Sequence, residues 1–354
     1  MRAASKYDLE HQHHLSSDYQ GCRNTGLISV SRWMTYSRQD CSRPKLRLGS
    51  TQWLEGETSM DFKDLLRAHG FDPDARERIV LLRHHPFEPR LARAIPWIIT
   101  EHPELFEAYQ SVPGRPATAI RRAEFVASFL GLVPGKAHFI GFYRVIGSRA
   151  LDFATFWQIA ENQTLRDMGY EGLTAERVEQ VGTEMQFDLE RLPFYSDWRG
   201  RLVIDYPPPE RSWFRWVDRG SFPVHAILEE SAFAAPPPDW REIDLTFAEL
   251  ANLPASWRAR LAEWRGIYLI FDEEDRRAYV GSAYGRDNIL GRWQAYARDG
   301  HGGNRELRDR NPRNFRFSIL ERLAPDLPPE DVIARENSWK QRLHSRQPFG
   351  LNAN

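Results

Sequence analysis

The chain has 354 residues, of which 41% are hydrophobic and 27% charged, and its formal net charge is −1. That length exceeds one average domain and predicts two, while the balanced charge excludes a uniformly basic, histone-like binder, so that electrostatics has to be read region by region. No run approaches the roughly 18 apolar residues of a membrane span, the N-terminus MRAASKYDLEHQHH lacks the apolar core of a secretory signal, and only Cys22 and Cys41 occur. These features predict a cytoplasmic protein with no membrane partner, held together without disulfides or a cysteine-rich zinc site.

Residues 1–59 show neither helical nor strand period and read as a disordered tail or an over-extended start, with Met60 as the alternative initiator. Residues 60–233 then read as a mixed α/β domain. MDFKDLLRAHG predicts a helix capped by Asp61 and stopped at Gly70. RERIVLLRHHP, ELFEAYQSV and RAEFVASFLGLV have helical or buried-segment patterning. HFIGFYRVIG and GRLVIDYPPP alternate β-branched and aromatic residues as strands do. His84 and His85 precede Pro86 with no carboxylate or cysteine at ligand spacing, so surface or capping histidines are expected there. AAPPPDW opens a linker, because consecutive prolines hold a chain extended, and TFAELANLPASWRARLAEW completes residues 234–261 as linker and helix. No Walker loop, dinucleotide fingerprint or serine-nucleophile elbow occurs.

The last ninety residues are the most informative. GIYLI, with Gly266 and Tyr268, and AYVGSA, with Tyr279 and Gly281, flank the polar turn FDEEDRR and so predict a hairpin. NILGRWQAYA with Arg292, RFSILERL, IARENSWKQRL with Glu336, and GLNAN with Asn352 follow in order. In that order and spacing residues 262–354 resemble the GIY-YIG nuclease family, in particular its homing and restriction endonucleases. The resemblance implies an α+β fold, with a three-stranded antiparallel sheet at 266–271, 278–282 and 315–320 flanked by helices. It also implies hydrolysis of DNA phosphodiesters with Mg²⁺ or Mn²⁺.

Carried over to this chain, the resemblance makes Tyr268 the water-activating residue, Tyr279 a holder of water and phosphate, Arg292 the phosphate clamp, Glu336 the metal ligand, and Asn352 a supporting residue. Some members have histidine four residues after the arginine; this chain has Tyr296. Physical chemistry supports such roles. A single carboxylate can anchor Mg²⁺, which keeps most of its waters. A guanidinium fork suits a phosphate oxygen. A phenol titrates near pH ~10, so Tyr268 needs nearby cations, Arg292 and the metal, to serve as a base. Gly281 is expected to let substrate or backbone approach, and His301 in GHGGN to reach a phosphate.

Between Arg292 and Arg316 seven arginines face three acids, a modest phosphate-binding footprint that includes Arg298, Arg305, Arg308 and Arg313. The leading expectation is a restriction or phage-defence endonuclease whose N-terminal domain reads a sequence or a modified base, with a homodimer supplying the second site for double-strand cleavage. The alternatives are a structure-specific repair or recombination nuclease and a non-catalytic nucleic-acid-binding protein on a nuclease fold.

Overall fold

The computed structural model describes residues 59–74, 78–208, 212–234 and 236–353, and the expectation for residues 1–58, with Cys22 and Cys41, lies outside them. Described residues begin with α1 (Phe62–Ala68), where the Asp61 carboxylate accepts from Lys63 N and Asp64 answers with a bond from the Asp61 amide, closing a capping box. Beyond it lie β1 (Ile79–His84), α2 (Pro89–Glu101), α3 (Pro103–Ser111), α4 (Ala117–Ile120), β2 (Phe125–Leu130) and β3 (Lys136–Leu151). The chain continues through α5 (Phe153–Gln158), α6 (Ala160–Asp167), α7 (Ala175–Val181), β4 (Glu184–Leu192), β5 (Leu202–Asp205), β6 (Phe214–Trp216) and β7 (Val224–Ile227). The seven strands form one sheet in the order β6-β1-β2-β3-β5-β7, with β4 also paired to β3.

Only β1 and β2 run parallel. Both are buried at every position, which explains why their sequences are near-continuous apolar runs that periodicity alone cannot separate from helix. Ile79, Leu81, Phe125, Ala127 and Phe129 enter one core with Phe62 of α1, and Val80, Leu82 and Val126 enter another on the opposite face. A bulge between Ser128 and Phe129 shifts the register against β3. Phe139 and Phe142 consequently fall in the same core, where Phe142 stacks on Phe125 and both join Phe62, Phe129 and Phe194 in a network of tilted and edge-to-face ring contacts. Most aromatics of this half are therefore structural.

The predicted linker is an ordered bridge between the two halves. Its residues form β8 (Asp244–Thr246), α8 (Phe247–Ala251) and α9 (Ala255–Glu263). Ala248 packs with Leu91, Ile95 and Phe106 of the first half, while Leu245, Leu250 and Trp257 join the core of the second. Arg93 reaches Glu249 at 3.1 Å, and the Ala255 amide donates to Glu101. Proline at 254 separates α8 from α9, since its fixed φ and missing N–H suit a helix start and not a helix interior.

The second half contains β9 (Arg265–Asp272), β10 (Arg277–Ala283), α10 (Asn288–Asp299), β11 (Phe315–Leu323) and α11 (Pro329–Arg342). Its antiparallel sheet runs β10-β9-β11-β8, so the three predicted strands are joined by a fourth short one from the linker. Period-two burial divides the strands cleanly: Tyr268 and Ile270 face α10, and Ile267 and Val280 face α11. No described helix is long and apolar enough to cross a membrane.

Asp272 ends β9 at 1% exposure and is held by Arg310 at 2.6 Å, with Asp275 of the hairpin turn on the same guanidinium. Arg310→Ala would leave that carboxylate buried without its cation. Because Arg310 is partly exposed, the expected loss is about 3 kcal/mol, the low end for breaking a buried pair. Urea denaturation measures it, and a loss below about 0.5 kcal/mol would contradict the pairing as a fastening of the hairpin.

Candidate active site

In β9 and β10, Tyr268 stands directly opposite Gly281, and Tyr279 opposite Ile270. A Cβ on Gly281 would come within 2.5 Å of the Tyr268 Cζ. The glycine therefore makes room for the tyrosine ring; the space expected to admit substrate is filled by Tyr268 itself. Gly266 has a similar reason, since its Cβ would lie 2.5 Å from the Glu321 carbonyl oxygen beside the bulge in β11.

Tyr268 is fully buried, with its hydroxyl 3.0 Å from that of Tyr296 on α10. Tyr296 is also buried, and Gly302, at φ +55°, gives its ring the clearance that a side chain would occupy. Tyr279 is half-buried and joins the same cluster, with Tyr296 and Asn304 beside its hydroxyl. Arg292, one turn before Tyr296 on α10, is exposed and has its guanidinium 6.0 Å from the Tyr296 ring centroid.

The electrostatics departs from the sequence expectation. Burial pushes the Tyr268 phenol up to about 12, with Tyr279 adding to it, and Arg292 only partly offsets the effect. Burial also raises Tyr279 and Tyr296. Tyr268 is the largest cause of a raised Arg292 pKa. Desolvation of the three phenols in one cluster outweighs the single cation and favours their protonated, hydrogen-bonding form.

Glu336 comes from α11. Its Oε2 accepts from Ser282 Oγ, and its Oε1 lies 2.7 Å from Lys340 Nζ. The pair is not a surface one: Lys340 is 4% exposed, and the Glu336 side chain 18%. β10 ends the sheet, its outer side is covered by Leu351 and Asn352, and Glu336 from the α11 face contributes to the raised pKa of Tyr279 on the α10 face. No cluster of three or more His, Cys, Asp or Glu that could hold a metal occurs among the described residues. A carboxylate has about four lone-pair sites, and two here are taken by donors. The remaining oxygen capacity suits one hard, largely hydrated divalent ion such as Mg²⁺ or Mn²⁺.

Other predicted residues are placed differently. Asn352 is 2% exposed; its Oδ1 accepts from Val280 N at 2.9 Å and from Ser345 Oγ at 2.7 Å, and its Nδ2 donates to Val280 O. It fastens the C-terminal segment to β10 between Tyr279 and Gly281, and so positions catalytic groups rather than being one. His301 accepts through Nδ1 from the Gly303 amide, shaping the loop that covers Tyr296. Arg298, Arg305 and Arg308 are exposed and make no ion pair with a described residue. Arg313 is instead paired to Asp167 of α6 at 3.2 Å, and so ties the two halves together. Sequence reasoning missed Ser282 and Asn304, which carry no motif signal, and the burial of Lys340, because helical spacing reports adjacency and not depth.

Residues 265–352 match the family model described as the GIY-YIG catalytic domain. Among solved structures, the catalytic domain of the homing endonuclease I-TevI is 29% identical, covering 25% of this chain and 98% of its own, with a TM-score of 0.22. A mutant of the same intron endonuclease domain is 28% identical over 26% of this chain and 94% of its own, also at 0.22. Scores this low support no structural inference, so the family match and the observed geometry stand by themselves. A search of curated proteins gives no significant match. Residues 265–352 thus form a GIY-YIG catalytic domain, the kind of domain that hydrolyses phosphodiester bonds as an endonuclease.

Proposed function

We propose that the protein is a divalent-metal-dependent DNA endonuclease of restriction or phage defence, in which residues 60–233 select the target and residues 262–354 cut it. The observation that carries the catalytic part is the cluster of Tyr268, Tyr279, Tyr296 and Arg292, with Glu336 near enough to raise the Tyr279 pKa. Arg292 is exposed on the phenol side and offers its fork to a non-bridging phosphate oxygen. Tyr268 and Tyr279 orient water and phosphate through their hydroxyls, and making Tyr268 a base would take more positive charge than Arg292 alone provides. Mg²⁺ or Mn²⁺ held by Glu336 would supply neutralisation of the charge that develops on phosphate and leaving oxygen. Lys340 and Ser282 hold the Glu336 carboxylate in place.

The division of labour follows from charge. Of the seven arginines between 292 and 316, Arg310, Arg313 and Arg316 are spent on Asp272, Asp275, Asp167, Asp244 and Glu273. Arg292, Arg298, Arg305 and Arg308 can neutralise only a few phosphates, each worth about −0.9 in the salt slope of affinity. Selection among DNA targets then falls to the larger first half. One chain carries one such site, so cutting both strands takes two chains or two successive encounters.

Glu336→Gln keeps an acceptor for Lys340 and Ser282 while removing the charge that holds the metal, and should abolish Mg²⁺-dependent cleavage with the fold retained; wild-type cleavage would sink the assignment. Glu336→Ala is the poorer test, because it also removes the side-chain oxygen that would still accept from the buried Lys340 ammonium. Arg292→Ala should slow cleavage by about 10²- to 10³-fold, with lysine restoring only part. Full rate with lysine would reduce Arg292 to a diffuse charge.

Tyr268→Phe removes the bond to Tyr296 at a cost of about 1 kcal/mol, while cleavage should fall by about 10²-fold or more. An unfolded tyrosine ionises near pH ~10, below the folded value of about 12. The buried neutral phenol therefore contributes stability that is full below pH ~10 and is lost as pH rises toward 12. Denaturation at several alkaline pH values should show wild type losing stability more steeply than Tyr268→Phe over that window. Parallel curves would contradict the buried protonated phenol.

A further inference from the structure

The first half contains a cavity of about 330 Å³ between the end of β1, the start of α2, the end of α3 and the loop after α6. Its walls include Tyr109, Tyr170 and Phe156, with the two tyrosine rings 5.4 Å apart and inclined at 65°. Both tyrosines are only half-buried, and at the mouth Phe87 and Trp213 are 65% and 42% exposed. Phe156 belongs to a small core and the two tyrosines pack partly against core side chains, while Phe87 and Trp213 remain exposed.

Two buried polar side chains face this apolar wall. Glu88 is 6% exposed; its Oε1 accepts from the Glu171 amide at 3.1 Å, and its carboxylate bears on both Tyr109 and Tyr170. His84, expected at the surface, is 9% exposed, and its Nε2 is buried with no hydrogen-bond partner among the described residues. Burial lowers its pKa to about 4, so the ring is neutral at physiological pH and offers one donor and one acceptor. An orphaned ring nitrogen in a cavity wall costs free energy unless something fills it. Few polar groups among many aromatic ones is the composition of a ligand site, and this volume is at the small end of such sites, which suits one flat ring system.

The surroundings identify the kind of ring. Arg115, exposed between the lining residues Gly114 and Pro116, puts a cation beside the mouth, where a backbone phosphate would pass. Arg90, two residues beyond Glu88, reaches Glu273 in the β9–β10 turn at 3.9 Å, and Asp167, three residues before Tyr170, pairs with Arg313. Two walls of the cavity are thereby fastened to the nuclease domain. We propose that this cavity receives a single nucleobase extruded from duplex DNA, its ring against Tyr109, Tyr170 and Trp213, and an exocyclic amine directed at Glu88. The inference rests on the reading that residues 60–233 select the DNA. It gives that selection a place and a chemistry: an adenine or cytosine ring, with any substituent read by the remaining space.

The test uses the full-length protein with DNA made uniformly with unmodified bases, 5-methylcytosine, 5-hydroxymethylcytosine or N6-methyladenine, and reads binding and cleavage separately. Glu88→Gln keeps the acceptor for the Glu171 amide, and Trp213→Ala truncates an exposed ring, so both should retain the wild-type melting temperature. Each should weaken binding of the preferred DNA by 10-fold or more and compress its ratio to the others. Wild type should also bind more tightly when the preferred base is mispaired, since mispairing removes part of the unstacking cost, and Trp213→Ala should lose that gain. Variants that bind and cut every DNA as wild type does would overturn the pocket while leaving the nuclease reading intact. Pocket-dependent binding without cleavage would do the reverse. Tight binding of free nucleoside monophosphates, together with equal affinity for paired and mispaired duplexes, would also overturn base extrusion.

Discussion

The nuclease half depends on one steric permission: the missing Cβ of Gly281 lets the Tyr268 ring lie across an edge strand. Once the ring is there, its hydroxyl meets Tyr296, and α10 must present Arg292 beside the same cluster. Asn352 completes the arrangement from outside by bonding both backbone groups of Val280, between Tyr279 and Gly281. Gly281 and Asn352 of this chain are thus geometric devices that position the phenols and the guanidinium of the proposed site.

The legible parts of this site were those that a spacing encodes. Two tyrosine-and-glycine strands, an arginine on a helix, a later glutamate and a final asparagine have an order that survives without coordinates, and so did the hairpin and both helices. The depth of a charge was not legible. Helical spacing places Lys340 next to Glu336 but does not tell that the lysine is buried, and it does not tell that desolvation raises the Tyr268 phenol against Arg292. Both have one cause, which is that a pattern gives neighbours in sequence and a pKa is set by neighbours in space.

The first half was harder for a different reason. β1 and β2 are buried on both faces, so they lack the alternation that marks a strand, and their parallel pairing leaves no turn between them to read. His84 occupies the last position of β1 and inherits that burial, whereas His85 next to it is exposed. The proline-rich segment indicated a spacer, but the residues after it form β8 and α8, whose side chains enter the cores of both halves. Together with the pairs Arg93 to Glu249, Arg90 to Glu273 and Arg313 to Asp167, this bridge holds the first half against the GIY-YIG domain.

The central claim is that the position of the Tyr268 phenol, set by the space above Gly281, governs catalysis. Gly281→Ala tests it most directly, because the substitution adds one methyl group and touches no charge. Cleavage rate and urea stability should be measured on the same preparation. The account predicts a folded protein, destabilised by about 1–3 kcal/mol through overpacking, whose cleavage falls by about 10²-fold or more. A variant that cuts DNA at the wild-type rate would contradict it.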